Sequence, residues 1–243
     1  MLKIVTMQDI SCIGKCSLTV ALPVISSLGI ETVPLPTAVL STHTMFKDPH
    51  KRDLTDDLLP IMEHWKKEGF HFDGICTGYL ASEKQISIAK TLFQDFPCKT
   101  KVVDPCMADN GKLYSGFDMH FVNEMKSLCQ CADVICPNIT EACLLLDIPY
   151  MSTYTEQDIQ NILTSLSGLG SRITVITGVS FDNRSIGACA YNKETDSFSS
   201  FFTEKEPQSF HGTGDMWAAL FTACLVKEKR FVEAHSISCI FVT

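Results

Sequence analysis

Lys101-Val102-Val103-Asp104-Pro105 and Asp133-Val134-Ile135-Cys136-Pro137-Asn138 flank a segment, Asp118 to Gln130, whose apolar residues recur three and four positions apart. A short β-rich run, an amphipathic helical period and a second such run make a βαβ unit, because parallel strands need a crossover connection of this kind. The alternation continues in both directions. β-rich runs at Lys3 to Gln8, Thr32 to Val39, Gly74 to Thr77 and Ile173 to Thr177 alternate with helical periods at Leu54 to Lys67, Glu83 to Phe93 and Glu156 to Leu166. Ile186 to Tyr191 and Phe198 to Phe202, joined through Asn192-Lys193-Glu194-Thr195-Asp196, read as a β-hairpin at the sheet edge. The expected fold is α/β: three α-β-α layers about a central, mostly parallel sheet. At 243 residues, 45% of them apolar, the chain can bury one sizeable core, so a single domain over residues 1–243 is expected.

The charge balance narrows the function. Acidic residues outnumber basic ones, 28 to 20, and no basic block interrupts them, so neither nucleic acid nor an anionic membrane surface is an expected partner. No apolar run reaches the ~18 residues of a membrane span. Twelve cysteines would suggest disulfides in a short secreted chain. Here the chain is long and opens on the strand-like Met1-Leu2-Lys3-Ile4-Val5, so reduced thiols and a cytoplasmic location are expected. No CxxC pair occurs, and the Cys12/Cys16 and Cys129/Cys131 spacings do not match a zinc site.

In an open parallel sheet, ligands bind beyond the carboxyl ends of the strands. The residues there are Gln8-Asp9-Ile10-Ser11, Gly78-Tyr79, Asp104-Pro105, Pro137-Asn138 with Glu141, and Thr177-Gly178. The strongest local signal is Phe210-His211-Gly212-Thr213-Gly214-Asp215, a Gly-rich turn opening the apolar helix Met216-Trp217-Ala218-Ala219-Leu220-Phe221. Unpaired N–H groups and the helix dipole at such a turn stabilise the negative charge of a transferred phosphoryl group. Asp215 at the same helix start is placed to accept a hydroxyl proton, and the dipole is expected to keep it ionised and weakly basic. Each motif also has a purely structural reading. Asp215 reads equally as an N-cap residue after a Gly turn, Asn138-Ile139-Thr140-Glu141 as a helix cap, and Asp104 as a turn residue before proline. A P-loop is excluded, because Asp9 and Cys16 stand where Gly and Ser or Thr are required around Gly14-Lys15, and no GxGxxG follows the first strand. Asp104 and Glu141 are the candidate Mg²⁺ residues, since Mg²⁺ takes one or two carboxylates and fills its shell with water and phosphate oxygens.

With these segments in view, the chain resembles the pyridoxal kinase branch of the ribokinase-like superfamily from residue 1 to about residue 225. The resemblance is carried by Ile10-Ser11, Ser41-Thr42-His43-Thr44, Thr77-Gly78-Tyr79, the run from Asp104 to Tyr114, Cys136-Pro137-Asn138-Ile139-Thr140-Glu141, Val175-Ile176-Thr177-Gly178 and Gly212-Thr213-Gly214-Asp215. It implies that Asp215 is the base, that Gly212, Thr213 and Gly214 form the anion hole, and that Ser11, Thr44 and Tyr79 line a vitamin pocket. It further implies Asn138, Thr177 and Tyr114 as nucleotide residues, ATP as co-substrate with Mg²⁺, a monovalent cation as an optional further ion, and a homodimer. Cys136 stands where the family has Thr, Thr42 where it has Asn, and Ala108 where it has Gly, and the C-terminal end is shortened relative to the family. The implied reaction is phosphorylation of the 5′-hydroxymethyl group of a B6 vitamer. Hydroxymethylpyrimidine kinase and a non-catalytic B6-binding protein are the alternatives.

Overall fold

The computed structural model describes residues 1–43, 46–182, 184–206 and 211–242. In chain order the elements are β1 (Lys3–Ser11), α1 (Leu18–Ser27), β2 (Glu31–Leu40), β3 (Lys51–Asp53), α2 (Thr55–Lys67), β4 (Gly74–Thr77), α3 (Glu83–Asp95), β5 (Thr100–Val103), β6 (Ala108–Asp109) and β7 (Lys112–Leu113). There follow α4 (Met119–Cys129), β8 (Val134–Ile135), α5 (Ile139–Leu146), α6 (Glu156–Ser167), β9 (Ile173–Val179), β10 (Ser185–Asn192), β11 (Ser197–Glu204), α7 (Thr213–Val226) and α8 (Phe231–Phe241). The main sheet runs β11-β10-β9-β8-β5-β4-β1-β2-β3. Its six central strands are parallel, and the pairings of β2 with β3, β9 with β10 and β10 with β11 are antiparallel. The α/β layering and the edge hairpin are therefore as the sequence implies.

Strand alternation sorts the core into two layers. Val5, Met7, Ile75, Val103, Ile135 and Ile176 face the layer formed by α2 to α6, whereas Ile4, Cys76, Val102, Val134, Ile173 and Val175 face α1, α7 and α8. Helix α7 is buried along most of its length, which explains an apolar run without a polar stripe. Its direction matters for function. A Cβ on Gly74, the first residue of β4, would lie 2.6 Å from Val226 at the end of α7, while one on Gly214 would lie 3.9 Å from Asp104, just beyond β5. The N-terminus of α7 thus sits at the carboxyl edge of the sheet. Strand β1 has β2 on one side and β4 on the other, so the order reverses beside it, which is where an open α/β sheet forms its crevice.

Four features differ from the sequence expectation. Strand β1 continues to Ser11, which places Asp9 within the strand. Helix α1 was not anticipated, because it contains Pro23 and its N-cap residue Ser17 makes no side-chain cap. Strand β3 is the exposed Lys51-Arg52-Asp53, without an apolar residue to mark it. Helix α8 covers the end of the chain, where residues 231–241 carry no single apolar stripe.

Helix α8 brings in a buried histidine. The His235 ring shares a 2.9 Å hydrogen bond with Ser199 Oγ of β11 and lies 6.0 Å from the Trp217 ring. Burial lowers its pKa to about 4. The folded protein therefore holds it neutral while the unfolded chain binds a proton below about 6.5. Stability falls as pH drops through 6.5 and this contribution levels off below about 4. At pH 5 the effect is about 2 kcal/mol at ~1.4 kcal/mol per pKa unit. Chemical denaturation of His235→Gln at pH 7 and pH 5 is expected to show a loss smaller than the wild type's by that amount.

Candidate active site

The turn ahead of α7 is built on a backbone contact only glycine permits. Gly212 caps the helix at φ 82°, and a Cβ there would overlap the Lys15 carbonyl oxygen and sit 2.9 Å from its carbon and 3.0 Å from Cys16 Cα. The Met216 N–H bonds back to Gly212 O at 2.9 Å, which leaves the N–H groups of Thr213, Gly214 and Asp215 ahead of the helical ladder. The turn and the loop from Cys12 to Ser17 are thus packed backbone to backbone beside the switch point.

This packing holds Asp215. Its Oδ2 accepts the Ser17 backbone N–H at 2.8 Å. Ser17 adopts φ 50°, ψ −133°, a region sparsely populated outside glycine that costs about 1–3 kcal/mol. It is held there by its own hydroxyl, which donates to Asp9 Oδ1 at 2.6 Å, while Ser11 Oγ donates to Asp9 Oδ2 at 2.9 Å. Burial pushes the Asp215 carboxyl up to about 6, the Ser17 N–H opposes that rise, and the Asp9 charge adds to it. The expected weak, dipole-stabilised base is therefore corrected. Burial outweighs the hydrogen bond from Ser17, and Asp215 is ionised at neutral pH yet more basic than an exposed aspartate.

Two further carboxylates face the same space. Asp104 Oδ1 accepts the Cys106 N–H at 3.2 Å, and its Oδ2 is the oxygen nearest Gly214. Burial, Glu141 and Asp215 hold Asp104 well above the usual carboxylate range. Burial pushes Glu141 up to about 7 against the hydrogen bonds it accepts. Those bonds come from Met107 N–H (2.8 Å) and Ala108 N–H (3.3 Å) on Oε1 and from Asn138 N–H (2.9 Å) on Oε2. Asn138 completes a capping box, accepting the Glu141 N–H at 3.0 Å, and its amide donates to Ala108 O at 2.7 Å. Thr140 Oγ1 accepts the Gly111 N–H at 2.9 Å. The N-terminus of α5 therefore clamps the β6–β7 hairpin, so Asn138 and Glu141 act as loop braces at the edge of the site.

The donor set bears on Mg²⁺. A half-buried carboxylate, Asp104, and a buried one, Glu141, both with raised pKa values and no ion pair to either among the described residues, form a site short of positive charge. Among the same residues no group of three or more His, Cys, Asp or Glu is placed to cage a metal. A pair of carboxylates without such a cage fits a hydrated Mg²⁺ that also takes phosphate oxygens.

The remaining expected residues border this centre. Tyr79 follows β4, its ring 5.9 Å from that of Phe117, and burial pushes its phenol up to about 12. Tyr114 follows β7, partly exposed, with burial and then Cys106 and Glu141 raising its phenol. Thr177 bridges to Asn138, its N–H donating to Pro137 O at 3.0 Å. Cys136 turns away, with its thiol donating to Val103 O at 3.5 Å inside the α7 layer. Thr44 and Phe210 lie outside the described residues. The adjoining His43 ring is 4.8 Å from His211, which joins the β2 loop to the turn before α7. Sequence reasoning missed Asp9 as a site residue, although it stands in the strand-end set. It also passed over the β6–β7 hairpin, whose Asn110-Gly111 turn, both residues at positive φ, is a strong hairpin signal.

A parallel-centred sheet whose switch point faces a Gly-Thr-Gly-Asp helix start agrees with what the resemblance to the ribokinase-like superfamily implies. Residues 26–243 match the phosphomethylpyrimidine kinase family model, and the chain belongs to that family. A candidate phosphomethylpyrimidine kinase of Bacteroides thetaiotaomicron VPI-5482 superposes with a TM-score of 0.96 at 38% identity, over 99% of this chain and 84% of its own. A second crystal form of that protein, with pyridoxal, gives 0.94. Pyridoxal kinase of Lactobacillus plantarum gives 0.92 at 32% identity over 100% of this chain and 86% of its own. Pyridoxal kinase of Dictyostelium discoideum is 25% identical over 93% of this chain and 79% of its own. The chain spans 33% of the Arabidopsis thaliana thiamine biosynthetic bifunctional enzyme, at 29% identity over 71% of this chain.

Proposed function

We propose that this kinase transfers the γ-phosphoryl group of ATP to the 5′-hydroxymethyl group of a B6 vitamer. The observation that carries the proposal is Asp215, a desolvated carboxylate fixed by the Ser17 N–H at the positive end of α7. The substrate hydroxyl, held beside it, loses its proton to the carboxylate as its oxygen bonds to the γ-phosphorus and the bridging P–O bond to ADP breaks, ADP leaving, while the Gly212-Thr213-Gly214 turn faces the charge on the transferred phosphoryl oxygens. Asp104 would hold Mg²⁺, with Glu141 behind it keeping the hairpin in place and acting on the ion through water. The ion supplies charge neutralisation for the phosphate oxygens. Ser11 and Tyr79 contribute hydroxyls around a pyridine ring, and Tyr114 and Thr177 border the phosphate side.

The B6 assignment is favoured over hydroxymethylpyrimidine by the similarity to the protein crystallised with pyridoxal and to the L. plantarum kinase. A cytoplasmic homodimer completes the proposal. Calorimetric titration separates the kinase from a binding protein: Mg²⁺-dependent ATP binding is expected, and vitamin binding without any nucleotide signal would sink the kinase reading. Asp104→Asn is expected to raise the Mg²⁺ concentration needed for half-maximal rate by roughly 10–100-fold. The same change removes a half-buried carboxylate repelled by Glu141 and Asp215 and is expected to raise the melting temperature of the ligand-free protein. Initial rates over a Mg²⁺ series and a thermal melt check both halves.

A further inference from the structure

The Asp9 carboxylate is 4% exposed and belongs to none of the roles assigned above. Each of its oxygens is committed to a different serine, Oδ2 to the Ser11 hydroxyl and Oδ1 to the Ser17 hydroxyl. Ser11 borders the substrate pocket. Ser17 delivers its backbone N–H to Asp215 at 2.8 Å, and does so from a left-handed conformation that a serine does not adopt unaided. We propose that Asp9 is a positioning residue for phosphoryl transfer, which locks Ser17 so that its N–H aims Asp215 at the substrate hydroxyl and orients Ser11 in the same stroke.

Two consequences follow from the donor inventory. A carboxylate accepts on both oxygens, whereas an asparagine amide accepts on one and donates from the other, so Asp9→Asn leaves one serine hydroxyl without its acceptor. With its proton committed to Asp9, Ser11 Oγ presents only lone pairs to the pocket, so the substrate atom it meets carries a hydrogen, as a phenol or a protonated ring nitrogen does.

This inference rests on Asp215 being the base, and steady-state kinetics of the full chain test the two separately. Ser17→Ala is expected to lower kcat on the order of 10²-fold, the scale of a misaligned reacting group, with both KM values within about twofold of the parent. Ser11→Ala is expected to raise KM for the alcohol about tenfold with little change in kcat. Asp9→Asn should show one of the two effects, set by which hydroxyl loses its acceptor, and Asp9→Ala, which removes both acceptors, should show both. The Asp9→Asn/Ser17→Ala double variant should have a kcat no lower than the worse single, because both changes act on one contact. A general loss of packing would instead give losses in kcat that multiply, and that result overturns the proposal. So does a kcat within about threefold of the parent for Ser17→Ala, which carries the test if Asp9→Asn does not fold. An active wild type, an inactive Asp215→Asn and an unaffected Asp9→Asn would remove this inference alone. A wild type inactive on every alcohol, or a fully active Asp215→Asn, would remove the base reading and this inference with it.

Discussion

Asp215→Asn is expected to lower kcat by about 10²–10⁴-fold, the range for loss of a positioned general base, while KM for MgATP stays near the parent value. Asparagine keeps an oxygen to accept the Ser17 N–H, so the turn is retained and the loss is chemical. With the carboxyl at about 6, the wild-type kcat/KM should fall roughly tenfold per pH unit below that value, because the protonated acid cannot accept the substrate proton. The variant should lose that limb. Stability moves the other way. A carboxyl raised in the folded state contributes stability that is present below its unfolded pKa and lost as pH rises through about 6. At pH 7.5 the wild type therefore carries an unfavourable term of about 2–3 kcal/mol, and Asp215→Asn should melt several degrees higher at ~2–4 °C per kcal/mol. Inactivity combined with higher thermal stability separates this account from simple misfolding, which would lower both.

The second large effect is at Gly212. Gly212→Ala must bring a Cβ onto the Lys15 carbonyl at a positive φ, so neither rotation nor a flexible neighbour relieves the overlap. The left-handed penalty alone is about 1–2 kcal/mol, and displacing the backbone from Lys15 to Ser17 adds to it. A fall in melting temperature of about 6–12 °C is expected for a total near 3 kcal/mol, with activity undetectable because the Ser17 N–H moves with the loop. Gly214 provides the contrast. Its added Cβ meets Asp104 Oδ2 at 3.9 Å, an ordinary contact, so Gly214→Ala should melt within a degree or two of the parent. Its activity should nevertheless drop sharply, because the methyl group occupies the gap between the anion-hole N–H groups and Asp104. Thermal melts and initial rates on the pair read both effects.

The fold was largely legible because strands β4, β5 and β8 are buried on both faces and helices α3, α4 and α6 each show one apolar stripe. What escaped was marked by backbone conformation and not by hydrophobic pattern: the start of α1 at a left-handed Ser17, the polar β3 and the two-residue strands β6 and β7. The positions of Asp104 and Asp215 were legible because they fall just past a strand and at a Gly-rich helix start, whereas Ser11, expected past the first strand, closes β1 itself. The roles of Asn138 and Glu141 were not decidable from the N-x-x-E spacing, which a capping box and a ligand pair share. The structure shows the capping box, with both side chains engaged in holding the hairpin. Asp9 stood in the strand-end set without an assigned role, because the role proposed for it comes from two serine hydroxyls on opposite oxygens, one of which, that of Ser17, only the curled loop after β1 brings there. The basicity of Asp215 was misjudged for a related reason. Sequence reveals the helix start and its dipole, but not the burial that raises the carboxyl.

The central claim is that the Asp215 centre phosphorylates the 5′-hydroxymethyl group of a B6 vitamer. It is tested most directly by incubating the purified chain with MgATP and, in parallel, pyridoxal, pyridoxamine, pyridoxine and hydroxymethylpyrimidine, and measuring the phosphorylated product of each by mass spectrometry alongside ADP release. The account predicts stoichiometric ADP and the 5′-phosphate of at least one B6 vitamer, at a kcat/KM above that for hydroxymethylpyrimidine. A higher kcat/KM for hydroxymethylpyrimidine, or ADP release without any phosphorylated vitamer, would contradict it.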